Sequence, residues 1–420
     1  MGIPVVVDLK PFTLIMCFAI ALALSLLNFL TIAAVLPELI AAWGLNKTQA
    51  GWLVSVYFAG YMSSILLVAA MTDRIDPRKI YLTGAFLGGV SSLSVALFAD
   101  GFWLTVALRF LGGIAFSGIY MPGLRALTDS LPSAQRNRGI VYYTSCFALG
   151  SGFSIFAAGQ IADALNWRWA FGLASMGSFL ALVIVAIVLK PRARSADARP
   201  ENAPAQPALS QAAAYRQVWR NKKALAYILA MYGVGWEVFA FRSWIVTYLT
   251  ERQASDLAVQ TFWLSPADIA FVTAIMGIPA AVWIGEWAAR MSREKLLLSV
   301  AGLSLIVDIL LAWSVSWPFE TLLFFACVFS LTSFGRSSAT TAGMMAAAEE
   351  RVRGATMAAY SFVAFLAGIT SPLALGLVLD GSVLALGHTS WTIGFLAIAT
   401  GSLISIAGYW IAARAGNIKP

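Results

Sequence analysis

Charge is scarce in this sequence. Only 11% of its 420 residues are Asp, Glu, Lys or Arg, against about a quarter in soluble globular domains. Histidine occurs once and cysteine three times. Around the single imidazole, His388 in a loop, no nucleophile–base constellation and no histidine-rich metal site can be assembled. Cys17, Cys146 and Cys327 each sit inside an apolar run, which excludes a disulfide framework and leaves them as small packing residues. A glycine-rich, lysine-bearing loop to cradle a nucleotide phosphate is missing as well. Catalysis, including ATP hydrolysis, is not expected, and neither a cofactor nor a metal is.

What is abundant is apolar surface. At 60% hydrophobic residues the chain lies outside the composition of soluble domains and reads as a polytopic, all-α membrane protein. Its net charge of +8 raises a nucleic-acid partner, but the basic residues fall in short clusters between apolar runs rather than on one soluble patch. The bilayer is the expected partner. Runs long enough to cross roughly 30 Å of hydrocarbon lie near residues 11–37, 48–71, 79–98, 102–124, 138–162 and 167–189. Six more lie near 223–249, 266–288, 295–314, 319–347, 352–379 and 391–413. The first is too long for a signal-peptide core and lacks a convincing cleavage site, so it is kept as a span.

The expected domains are an N-terminal six-helix bundle (1–190), a cytoplasmic linker (191–222) and a C-terminal six-helix bundle (223–420). The linker region is rich in proline, alanine and basic residues and cannot bury a core; its end, 215–223, reads equally as an amphipathic helix on the headgroups or a plain connector. With both termini inside, about 22 of the 28 Lys and Arg are cytoplasmic, as the positive-inside rule asks. Trp43, Trp52, Trp103, Trp167, Trp263, Trp317 and Trp391 then fall near outer ends, as interface anchors.

The two halves repeat each other at an offset of about 216 residues. Arg74 and Lys79 match Arg290 and Lys295, Thr48 matches Ser265, and 136–139 match 351–354. Ser154, Gly159 and Asp163 match Ser371, Gly376 and Asp380. Such duplication is the architecture of many secondary transporters, with the site between the halves near the midplane.

Between the second and third runs stands Met71-Thr72-Asp73-Arg74-Ile75-Asp76-Pro77-Arg78-Lys79. Nothing that polar can sit in hydrocarbon, so it forms a short turn at one membrane face. The stretch resembles the loop between helices two and three of the major facilitator superfamily, with Asp73, Arg74, Arg78 and Lys79 kept and Ala69 and Asp76 standing where that family usually has glycine. Arg109 followed by Gly112 and Gly113 resembles its fourth-helix pattern. Gly150, Gly152 and Gly159 are similar to its glycine-rich fifth helix, without the Gly-Pro pair associated with antiporters. The resemblance covers nearly the whole chain. It implies twelve transmembrane helices in two pseudo-symmetric bundles, a cavity lined mainly by helices one, four, seven and ten, and alternating access. It also implies that Asp73, with Arg74, Arg78 and Lys79, latches an inner gate. The second-half copy has Ala289 in place of that Asp.

Five ionisable residues lie inside runs: Arg109, Glu237, Arg242, Asp308 and Arg336. Charge at membrane depth costs at least a few kcal/mol, so each should face the bundle interior with a partner or a task. By helical rise, Arg109 lies roughly 10 Å from the outer end, Glu237 roughly 20 Å from the inner end and Arg336 roughly 25 Å from the outer end. Arg242 reads as near the outer interface, able to snorkel. Three arginines against one cavity glutamate favour an anionic substrate, held by Arg109 and Arg336. Asn28, Thr31 and Trp236 would add uncharged contacts. The competing reading makes Arg109 structural and lets Glu237 and Arg336 neutralise each other across the halves. Glu237 is the candidate proton carrier, because burial favours a neutral carboxyl. Asp308 reads as a packing partner to a hydroxyl or an arginine.

The expected function is proton-coupled transport of a small organic or inorganic anion, by a monomer in a bacterial-style inner membrane. A proton-driven exporter of amphipathic compounds is the alternative. From another class, a receptor or channel also suits a helical bundle but is less consistent with the duplication.

Overall fold

The computed structural model describes residues 10–72, 74–189 and 211–417. Twelve helical stretches are long and apolar enough to cross a membrane, and no strand occurs among the described residues. The spans in the first half are Pro11–Trp43, in two pieces, then Lys47–Met71, Pro77–Phe98, Phe102–Ser130, Ser133–Ala164 and Trp167–Val188. Those in the second half are Lys222–Ser255, Pro266–Arg290, Arg293–Trp313, Phe319–Ala347, Arg353–Leu386 and Trp391–Asn417. In chain order they are spans 1 to 12. With each span crossing once, Pro11, Val188, Lys222 and Asn417 fall at one face, the terminal face; the other is the far face.

Several helices outrun their apolar runs. Span 1 continues to Trp43, past Pro37 and Glu38, because the Glu38 carboxylate finds a partner in the backbone N–H of Trp167 at 3.1 Å. Span 7, of 34 residues, reaches Ser255. In the linker region the helix is Gln211–Arg220, displaced from the expected 215–223, because the Asn221 side chain accepts from Ala224 N and starts span 7 afresh. Residues 190–210 lie outside the described set.

The halves meet along two pseudo-equivalent seams, span 2 against span 11 and span 5 against span 8, and span 1 also packs on span 7. Sequence positions that repeat are the ones that meet here. Gly376 of span 11 packs so closely on span 2 that a Cβ would stand 2.4 Å from Lys47 O. Its repeat partner Gly159 lies likewise against Ala267 of span 8.

Beside Gly376, Asp380 accepts from the backbone N–H groups of Lys47 and Thr48 at 3.0 and 2.8 Å and from the Thr48 hydroxyl at 2.6 Å. It thus caps the opening turn of span 2 from across the seam. Lys47 pairs with Glu251 of span 7, which also accepts from Trp391 Nε1 at 2.8 Å. At the other seam Gln160 donates to Asp268 at 2.9 Å. These contacts close the far face. Trp391 and Trp167 are therefore buried packing residues rather than interface anchors, whereas Trp103 and Trp263 are exposed as anchors should be.

Toward the terminal face the halves part around a cavity of about 520 Å³. Its wall is mostly apolar and comes from both halves, with Tyr61, Leu66 and Met121 facing Met357, Phe362 and Phe365, and Arg125 near its mouth.

Candidate functional site

Span 1 is broken at residues 27–30, where the helix of Pro11–Leu26 stops before the helix of Thr31–Trp43 begins. A break at membrane depth frees backbone groups that need partners. Span 4 supplies them: Arg109 donates from Nη1 to Asn28 O at 2.9 Å and from Nη2 to Phe29 O at 3.3 Å, with its guanidinium 4.4 Å from the Tyr57 ring centre. Ser154 of span 5 donates to Leu27 O and accepts from Leu30 N. The glycine beside Arg109 is explained by packing, since a Cβ on Gly113 would lie 1.9 Å from Tyr57 O.

Asn28 turns away from the seam and donates to Ser178 Oγ at 2.7 Å and Ala174 O at 3.2 Å on span 6. Thr31 donates to Leu27 O of its own helix. Asn28 Oδ1 and Arg109 Nε are buried without a partner among the described residues, around a water-sized void that Ser91, Ser92 and Ser178 also line. Trp236 donates to Ala397 O of span 12.

A second polar centre lies wholly in the C-terminal half. Arg336 Nη2 donates to Glu237 Oε2 at 2.5 Å, and both side chains are fully buried. This pair joins spans 7 and 10 of one half, not the two halves. Ser402 of span 12 stands between carboxyl groups, donating to Glu237 Oε1 at 2.7 Å and lying 2.8 Å from Asp308 Oδ2 on span 9. Ser304 reaches Glu237 Oε2 at 3.3 Å. Arg336 Nε and Nη1 and Asp308 Oδ1 remain buried without partners among the described residues.

The seam itself holds Arg242. From span 7 it donates across to Ser151 Oγ of span 5 at 3.1 Å and lies 5.3 Å from the Phe334 ring centre. It is 9% exposed, and no carboxylate faces it among the described residues. Aromatic rings line the seam nearby on the span 2 side, with Phe58 4.9 Å from Phe239 and Tyr61 4.7 Å from Phe365.

At the terminal face, Asp73 lies outside the described residues. Asp76 accepts from Arg78 N and starts span 3 with Pro77 at its first position. Arg78 reaches Ala186 O at the end of span 6 at 2.8 Å, while Arg74 and Lys79 are exposed.

The five charged residues buried among the described residues are ones that stand out in the sequence, but Ser402 and Ser304 were missed. The signal was present as Ser304 and Asp308 one helical turn apart, and as Ser402, Ser405 and Tyr409 along one stripe of span 12.

The Major Facilitator Superfamily model matches residues 18–372. The D-galactonate transporter of Escherichia coli is 22% identical over 392 residues, covering 88% of this chain and 89% of that protein. The probable sulfoacetate transporter SauU of Cupriavidus necator is 25% identical over 248 residues, 56% of each chain. Among solved structures, a bacterial homolog of the human lysosomal transporter Spinster, inward-facing and unoccupied, aligns with a TM-score of 0.77 at 14% identity, covering 99% of this chain and 98% of that one.

Proposed function

This chain belongs to the Major Facilitator Superfamily and is a membrane transporter rather than an enzyme, and we propose that it carries a small organic anion together with protons by alternating access. One observation carries the reading: the buried charges do not cancel. Arg336 has Glu237 against it, but among the described residues Arg109 faces carbonyl oxygens and a ring, and Arg242 a hydroxyl and a ring. Two guanidinium groups uncompensated at membrane depth favour a bound anion that supplies the missing charge.

Arg242 takes the anion's carboxylate or sulfonate, since it stands at the seam and keeps donors beyond the one given to Ser151. Arg109 fixes the broken helix and adds its field, while Thr31, Asn28 and Trp236 are engaged by partners within their own halves. The aromatic rings beside the seam suit a cargo with an apolar portion. The similarity to proteins named for galactonate and sulfoacetate supports the class. Proton coupling belongs to the carboxyl cluster around Glu237. By the positive-inside rule the terminal face is cytoplasmic in an inner membrane, so the conformation described is inward-facing, and Arg74, Arg78 and Lys79 flank the gate that must close on it.

The test is a thermal-shift screen of the purified protein against organic anions, cations and neutral amphiphiles, beside Arg242→Gln and Arg336→Gln. A ligand of the native state raises the melting temperature. An anion class that stabilises the wild type and not Arg242→Gln supports the proposal, and a pH gradient should then drive its uptake into proteoliposomes. Stabilisation by lipophilic cations or neutral compounds alone, equal in Arg242→Gln, replaces it with efflux of amphipathic compounds, a reading that the apolar wall of the terminal-face cavity favours.

A further inference from the structure

The geometry around Ser402 counts protons. Its single hydroxyl lies 2.7 Å from Glu237 Oε1 and 2.8 Å from Asp308 Oδ2. Both are ordinary O–H···O lengths, and each needs one hydrogen. Ser402 has one to give. Were both carboxyl groups ionised, one of these contacts would set an oxygen lone pair against a carboxylate oxygen in a dry interior, with two negative charges facing one arginine. The second hydrogen therefore sits on a carboxyl group.

The surroundings say which one. Glu237 accepts from Arg336, Ser402 and Ser304 and has the contacts of an ionised carboxylate. Among the described residues Asp308 has Ser402 as its hydrogen-bond partner, an unpartnered Oδ1, and no cation in contact. Resting on the proton-coupled reading of the function, we infer that the coupling proton is carried by Asp308, which donates it to Ser402 as Ser402 donates to Glu237, while Glu237 is the standing counter-charge of Arg336.

A second observation bears on the deprotonated state. Arg336 Nε and Nη1 are buried and unused, as is Asp308 Oδ1. When the proton leaves Asp308 for water, the new carboxylate becomes a partner for those donors. The arginine of span 10 is then shared between Glu237 on span 7 and Asp308 on span 9. Span 7 meets span 1 at the seam, span 10 packs on span 7, and spans 9 and 12 back the two, so the proton sets how tightly this pair is held to its support. The titratable groups facing Asp308 are Glu237 from span 7 and Arg336 from span 10; from span 12, Tyr409 faces Arg336, with its hydroxyl 2.5 Å from Thr340. Span 8 contributes none among the described residues.

The experiment is infrared difference spectroscopy of the purified wild-type protein across a pH titration. It is run on unlabelled protein and on protein labelled with carbon-13 in either aspartate or glutamate carboxyl groups. The expected result is a protonated-carboxyl band at neutral pH that shifts with aspartate label, exchanges in heavy water, bleaches as pH rises, and is missing from Asp308→Asn. Asn mimics the protonated acid in shape, so this variant should fold, and the labelled wild type assigns the band even if it does not. A band that shifts only with glutamate label places the proton on Glu237 and overturns the inference while leaving proton coupling intact. No protonated-carboxyl band, or an aspartate band that neither exchanges nor titrates, also overturns it. Proton coupling itself fails separately, if a pH gradient drives no uptake of an anion that stabilises the wild type.

Discussion

Single side chains differ sharply in how much they hold. Ser402 bonds two buried carboxyl groups at good length, whereas Ser304 reaches one of them at 3.3 Å. Removing a hydroxyl that leaves buried groups unpaired costs about 1–3 kcal/mol. Ser402→Ala should therefore lower the melting temperature clearly and Ser304→Ala little, and equal losses in a thermal melt would contradict the geometry. The five buried charges were legible in the sequence because an ion in an apolar run is conspicuous. The serines were not, since serine is common in membrane helices and only its partner reveals its task. Arg242 was legible as a charge but not in its depth. The apolar run of span 7 ends near residue 249, yet the helix continues to Ser255, roughly 9 Å further. Glu251 finds Lys47 and Trp391 there, so the helix tolerates a polar end and Arg242 lies deeper than the run implies.

At the level of elements, duplication gave the spans their order and even their contacts. Thr48 and Asp380, read as repeat positions of Ser265 and Asp163, prove to be partners across one seam, and Gln160 and Asp268 hold the other. The break in span 1 was not legible. Neither glycine nor proline lies within residues 27–30, and the break depends on Arg109 and Ser154 arriving from other helices. Asp380 offers a direct test of the far-face closure. It holds two backbone N–H groups and a hydroxyl at the start of span 2, and Asp380→Ala removes all three hydrogen bonds together. Spin labels at the far ends of spans 2 and 11 should then report a longer, broader distance distribution than in the wild type. An unchanged distribution would mean that Lys47, Glu251 and Gly376 suffice to keep the face shut.

Seen whole, the molecule closes its two faces by different means. Charged and hydrogen-bonded groups seal the far face, and the terminal face opens on a mostly apolar space of about 520 Å³ between the halves. Turning the protein over must collapse that space, which expels on the order of ten to twenty waters at the molecular volume of the liquid. The conformational equilibrium is thus coupled to the activity of water. An osmolyte excluded from the cavity, such as a large polyethylene glycol, should populate the state closed at the terminal face in proportion to its osmotic pressure. The slope, read from the same spin-label pairs, gives the number of waters displaced, and a slope of zero would mean that the cavity persists through the cycle. A transporter of this kind would then respond to dehydration of the compartment its cavity opens to, with no ligand involved.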